Sequence, residues 1–127
     1  MQGRLLPKYK GRYQAHPVNY WAEEFKIAEK LGLDCIELIL DFDELHLNPL
    51  SNAQGVEEIK KVSDSSGIEV NSICADYFME SPLHSSDTAI SEKSKEVLKA
   101  LLKASNLIGV ENIVIPCVDQ SSLKSKT

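Results

Sequence analysis

Cysteine is scarce in this chain: Cys35, Cys74 and Cys117 are the only three among 127 residues. Their odd number and wide spacing argue against a disulfide framework and fit a reducing compartment, the cytoplasm. Aromatic residues make up only 6%. No apolar run approaches the roughly 18–20 residues that a helix needs to span a bilayer. Met1 to Gly11 lacks the apolar segment of a secretory signal, so neither a membrane partner nor export is expected. Basic charge is also short, with 14 basic against 19 acidic residues and a net charge of −5. A general nucleic-acid binder carries a basic surplus, so no nucleic acid is expected as a partner. The glycine loops that cradle phosphates, G-x-G-x-x-G and G-x-x-x-x-G-K-S/T, are both absent, as is the G-x-S-x-G nucleophile elbow. None of the three histidines, His16, His46 and His84, has a partner at i+4 or at another metal-ligand spacing.

What is present is a globular composition, 43% hydrophobic and 26% charged, at a length that suits one domain. The charge is uneven. Residues 1–20 hold Arg4, Lys8, Lys10 and Arg12 and no acid, which leaves 10 basic against 19 acidic groups in the rest. A cationic segment on an acidic body suits a small anion such as a phosphate, or else is a solvated terminus.

A repeat sets the architecture. Gly32-Leu33-Asp34, Gly67-Ile68-Glu69 and Gly109-Val110-Glu111 each place an aliphatic residue and an acid after a glycine, between a helical pattern and an apolar run. Glycine is the residue expected just past a helix end, where φ is positive. The unit is helix–glycine–strand with a period of roughly 35–42 residues, the span of a βα unit. Helices are expected over Tyr20–Leu31 (stripe Trp21, Phe25, Ala28, Leu31; N-cap Asn19), Asn52–Ser66 (stripe Val56, Ile59, Val62; capping box Ser51 and Gln54) and Ile90–Ile108 (stripe Val97, Leu101, Ala104, Ile108, widened by Leu98 and Leu102). Strands are expected over Cys35–Leu40, Ile68–Ala75 and Asn112–Val118, with Pro116 marking the end or an irregularity of the last. The near-continuous apolar runs belong to parallel strands covered on both faces. Alternating helices and parallel strands leave an α/β fold, either a doubly wound sheet or a (βα)8 barrel. A (βα)8 barrel takes about 250 residues. The chain therefore reads as about three and a half βα units, starting after a first strand and stopping after a fourth.

Active sites in both architectures lie at the C-terminal ends of the strands. There the chain offers Asp41, Asp43 and Glu44, then Asp76, Tyr77, Glu80 and His84, then Asp119 and Gln120, with Gln2 and Arg4 in the opening loop. Glu37, inside a strand, is the most informative. A carboxylate in a barrel lumen faces the site and can bind a sugar hydroxyl, take a proton or hold a metal, unless it is paired with a group on a neighbouring strand. Asp76 shares a face with Ser72 and Cys74 by alternation and points either into a narrow barrel interior or into a turn that it caps. Asp119 reads as a turn residue. His84 overhangs the site and is a candidate substrate contact, His16 before Pro17 reads as a turn residue, and His46 is the least indicated. The cysteines read as small buried hydrophobes.

Met1-Gln2-Gly3-Arg4-Leu5 resembles the segment after the first strand in the sugar phosphate isomerase/epimerase family, whose members are xylose isomerase-like TIM barrels. Gly32-Leu33-Asp34-Cys35-Ile36-Glu37-Leu38 resembles that family's second strand, Gly67-Ile68-Glu69-Val70-Asn71-Ser72-Ile73 its third, and Gly109-Val110-Glu111-Asn112-Ile113-Val114-Ile115-Pro116 its fourth. The resemblance implies that residues 1–127 are one partial TIM-barrel domain, the N-terminal portion of an isomerase or epimerase. It implies a small sugar or sugar phosphate as substrate and a proton moved next to a carbonyl through an enediolate. It also implies a divalent metal (Mn, Mg, Co or Zn) held by Glu, Asp and His on later strands, so that no metal ligand is expected in this chain. The substrate-side candidates are Gln2, Arg4, Glu37, Asp76 and His84. An inositol-type dehydratase or isomerase of the same fold, or an inactive fragment that oligomerises through open sheet edges, are the alternatives. The endonuclease IV-like branch, which needs a basic DNA face, is disfavoured.

Overall fold

The computed structural model describes residues 5–123. Its elements in chain order are α1 (Glu23–Lys30), β1 (Cys35–Ile39), α2 (Ala53–Ser66), β2 (Glu69–Cys74), α3 (Tyr77–Glu80), α4 (Thr88–Ile108) and β3 (Asn112–Val114), with single 3₁₀ turns at Leu45–Leu47, Pro49–Ser51 and Asp119–Ser121. The three strands form one parallel sheet in the order β1-β2-β3. This is the α/β architecture of a partial barrel: β1, β2 and β3 are the expected second, third and fourth strands. None of the helices among the described residues is long and apolar enough to cross a membrane.

The repeated glycines sit where the repeat demands. Gly67 and Gly109 cap α2 and α4 with φ of 69° and 91°, each amide closing on the carbonyl of Ser63 or Ser105. The helix starts differ from expectation. α1 begins at Glu23 rather than Tyr20, because three-residue turns from Pro17 to Tyr20 and from Tyr20 to Glu23 take up the preceding amides, and Asn19 caps nothing. α2 is capped by Asn52, whose Oδ1 accepts from Gly55 N at 2.7 Å, while the Ser51 hydroxyl turns back to the Asn48 carbonyl. α4 starts at Thr88, under an Asp87 cap. Gly55 has a steric role: a Cβ there would stand 2.2 Å from the Pro49 carbonyl oxygen, so α2 packs directly onto the preceding turn.

The core lies between the sheet and its helices. Ile36, Leu38 and Leu40 of the β1 segment meet Phe25 and Ala28 of α1, Ile59 of α2, Val70 and Ile73 of β2 and Leu101 of α4. Leu31 and Leu102, expected on helix stripes, stand 60% and 52% exposed. Val70 and Ile73 are three apart yet share the core because the ladder slips between them: Ile36 pairs with Val70 but Glu37 with Ser72, which leaves Asn71 as the extra residue of a bulge.

β3 corrects two expectations. It ends at Val114, not Val118, and none of its three residues is buried. Like β1 it is an edge strand among the described residues, paired with β2 alone, and the chain leaves the ladder before Pro116, which has no N–H to offer. Cys117 beyond it is consequently exposed; Cys74 is buried as expected and Cys35 half-buried.

Candidate functional site

Residues 5–22 form a long loop that folds across the strand ends and fixes the groups there. The loop opens on a tight turn. Tyr9 and Arg12 exchange backbone hydrogen bonds of 2.9 and 3.0 Å around Lys10-Gly11, both with positive φ, which is the geometry of a two-residue hairpin turn. The turn aims its flanking side chains at the acidic loop after β1. Tyr9 Oη donates to Glu44 Oε2 at 2.5 Å and Lys10 Nζ lies 3.2 Å from Glu44 Oε1. The Tyr9 bond is the largest cause of two opposite shifts, pushing the phenol up to about 12 and holding the Glu44 carboxyl low. The basic residues of this loop are thus engaged internally: Lys10 with Glu44, Lys8 over the Tyr13 ring, and Arg12 with Asp41.

Two carboxylates stand side by side where β1 and β2 end. Asp41 is 8% exposed and accepts from the His16 backbone N–H at 2.9 Å; Arg12 Nη2 lies 3.7 Å away. Burial pushes the Asp41 carboxyl up, against the pull of these two donors. Asp76 is 5% exposed and accepts from Gln14 Nε2 and from Cys74 Sγ, each at 3.1 Å. Asp76 occupies the residue before α3 without capping it. Its side chain therefore serves the strand end rather than the turn. Both aspartates line a cleft of about 350 Å³ together with Arg12, Phe42, Asp43, Met79 and Glu80. The exposed Phe42 ring, packed 5.4 Å from the buried Tyr77 ring at 33°, forms an aromatic ledge beside the carboxylates.

The other sequence candidates are distributed differently. Glu37 is half-buried on the same side of the sheet as Ser72, whose hydroxyl donates to Glu37 Oε2 across the β1–β2 pair. It does not line the cleft; it borders a smaller cavity with His16. His84 lies half-buried in the turn between α3 and α4, away from the cleft lining. Gln2 and Arg4 lie outside the described residues. His46 is exposed and Asp119 begins a 3₁₀ turn. His16 is a correction: it is 3% exposed, packed against Trp21, and burial holds its imidazole down at about 4. Sequence reasoning named Arg12 only as part of a basic segment suited to an anion, and overlooked Gln14. The usable signal was Lys10-Gly11 between Tyr9 and Arg12, a two-residue turn that re-aims everything after it.

Among the described residues no group of three or more His, Cys, Asp or Glu stands where it could hold a metal ion. The residues present do not fit the divalent metal implied by the sequence resemblance. The arrangement is suited to accepting hydrogen bonds from hydroxyl groups, with the aromatic ledge to pack an apolar face.

Comparison with known proteins matches residues 25–125 to the family model of the xylose isomerase-like TIM barrel. Among curated proteins, the L-ribulose-5-phosphate 3-epimerase UlaE of Escherichia coli is 26% identical over 101 residues, and that of Salmonella typhimurium 27%. In each case the match covers 78% of this chain and 35% of the relative, so the chain spans about a third of the relatives' length.

Proposed function

The chain belongs to the xylose isomerase-like TIM barrel family, and we propose that its strand-end cleft is the hydroxyl-binding side of a sugar isomerase or epimerase site. The reaction on this reading removes a proton from the carbon next to a sugar carbonyl and returns it through an enediolate, giving an isomer or an epimer. The observation that carries the proposal is the pair Asp41 and Asp76. They stand at neighbouring strand ends, are oriented by donors from the overlying loop, and open onto one cleft. Oriented carboxylates accept hydrogen bonds from adjacent hydroxyls, and the Phe42 ring, backed by Tyr77, takes the ring or chain carbons. Glu37 lies outside the cleft lining, paired with Ser72 on the β1–β2 pair, and on this reading it is a second point of contact in the complete barrel. The base and any metal of the complete site are assigned to other strands.

The substrate class is a small ketose or its phosphate, as the relatives' names suggest. Four carboxylates, Asp41, Asp43, Asp76 and Glu80, face one cation, Arg12, in this cleft. A phosphate would be repelled there, so the polyol end of the substrate belongs in it and a phosphate end lies elsewhere. Residues 1–127 then form one partial barrel domain, and the uncovered β3 edge favours self-association.

Titrating the labelled chain with L-ribulose and L-ribulose 5-phosphate, followed by backbone amide spectra, tests this. Residues 41–43 and 76–80 should respond, and Asp76→Asn should weaken binding about 10-fold, the cost of one hydrogen bond to a charged acceptor. Spectra unchanged at millimolar sugar would sink the proposal.

A further inference from the structure

His16 is more deeply buried than a turn residue needs to be. Its backbone N–H is engaged by Asp41 and its ring lies 6.2 Å from Trp21, tilted by 33°. Its Nε2 atom is buried and has no hydrogen-bond partner among the described residues. Buried polar atoms are rarely left so, and those that are call for a physical explanation. The same residue borders a cavity of about 10 Å³ between the loop, α1 and β1, whose other polar lining residues are Glu24 and Glu37. That is the space of a single water, and a buried water needs two to four polar partners.

We propose that His16 and Glu37 hold one buried water between them, so that His16 is the positioning residue for the Glu37 carboxylate. Whichever ring tautomer is present, Nε2 can either accept from a water or donate to it. Glu37 is the better partner of the two carboxylates. Its Oε2 takes the Ser72 hydroxyl, which leaves Oε1 for a second donor. Glu24 faces the Leu5 backbone N–H at 3.5 Å on the α1 side, and burial favours its protonated form. Held by Ser72 from β2 and by the water from the loop, the Glu37 carboxylate has one orientation. The loop that fixes Asp41 and Asp76 directly thereby fixes Glu37 as well. The water site does not depend on the sugar reading, and its test uses no sugar, so the two can fail separately.

A crystal structure at high resolution should place one ordered water within about 3.2 Å of both His16 Nε2 and a Glu37 oxygen. His16→Phe, which keeps a ring against Trp21, should lose that water and release Glu37 into a second rotamer; His16→Gln, which keeps a polar end, should restore both. In solution, Glu37→Gln should move the His16 Nε2 resonance in nitrogen-15 spectra, and Glu58→Gln on the exposed face of α2 should not. A dry cavity, a water shared with Glu24 alone, a Glu37 rotamer unchanged in His16→Phe, or a Nε2 resonance indifferent to Glu37→Gln would each overturn the proposal. If His16→Phe does not fold, the Glu37→Gln spectrum decides by itself.

Discussion

β1 and β3 look alike in sequence and fare differently in the fold. Cys-Ile-Glu-Leu-Ile-Leu and Asn-Ile-Val-Ile-Pro-Cys-Val are both apolar runs following a glycine and an acid. In the β1 segment Ile36, Leu38, Ile39 and Leu40 are all at most 3% exposed. In the β3 segment Val114, Ile115 and Val118 stand 45%, 36% and 51% exposed, and Leu102 and Leu107 of the preceding helix are more than half exposed. An apolar run states what a strand requires to be covered; only the neighbouring elements decide whether it is. β1 has helices on one face and the 5–22 loop at its end. Both strands pair with β2 alone, so the difference is the cover: α1 packs on β1, and β3 has no comparable helix contact among the described residues.

The comparison can be broken by matched truncations. Ile36→Ala should cost about 2–5 kcal/mol in urea unfolding, the usual price of a large-to-small change in a filled core. Equal effects at Ile36 and Val114 would remove the distinction between the two strands.

The next largest effect is a pH dependence. A histidine in the unfolded chain takes up a proton near pH 6.5, but folded His16 resists it until about pH 4. The unfolded state therefore binds more protons across that window, and stability falls as the pH is lowered through it, by up to about 3 kcal/mol. Glu24 and Asp41, both pushed up by burial, act in the opposite sense, because the folded state keeps protons there that the unfolded state releases. His16→Phe should consequently flatten or reverse the acid slope. A slope unchanged in that variant would assign the acid sensitivity to another group.

Gly55→Ala tests how tightly the β1 side is closed. The added methyl meets the Pro49 backbone and should destabilise by about 1–3 kcal/mol, read as a lower midpoint in thermal unfolding. The smallest effect belongs to the other edge. Val114→Ala should change the unfolding free energy by less than about 0.5 kcal/mol. Val114→Lys should do the same while reducing any concentration-dependent association seen by sedimentation, since a lysine on an open edge disfavours strand-to-strand contact.

Much of the fold was legible because it rests on local rules. The three glycine–aliphatic–acid triplets marked the helix-to-strand joints, and Phe25, Ala28, Ile59 and Leu101 lie where helical spacing put them. The site was legible in part. Strand-end logic picked out Asp76 and noted Asp41, and alternation placed Ser72, Cys74 and Asp76 together. Helix starts were less so, because Asn19, Ser51 and Asn52 are all chemically able to cap, and the choice depended on which amides the preceding turns left over. His84 stands outside the lining of this cleft, since a loop residue's direction is set by the turn that carries it.

The sequence by itself determined the repeating βα unit, the parallel sheet and the acidic strand ends, since these follow from periodicity, glycine chirality and residue type within a few positions. Tertiary structure alone decided four other things. The bulge at Asn71 lets Val70 stay in the core while Ser72 turns toward Glu37. The Lys10-Gly11 turn brings Arg12 and Gln14 onto Asp41 and Asp76. His16 is buried beside Glu37, and β3 is left without a buried residue. They depend on groups far apart in the chain meeting in space, 62 residues in the case of Gln14 and Asp76, and no local pattern encodes which distant partner a backbone amide, a carboxylate or an apolar face will find.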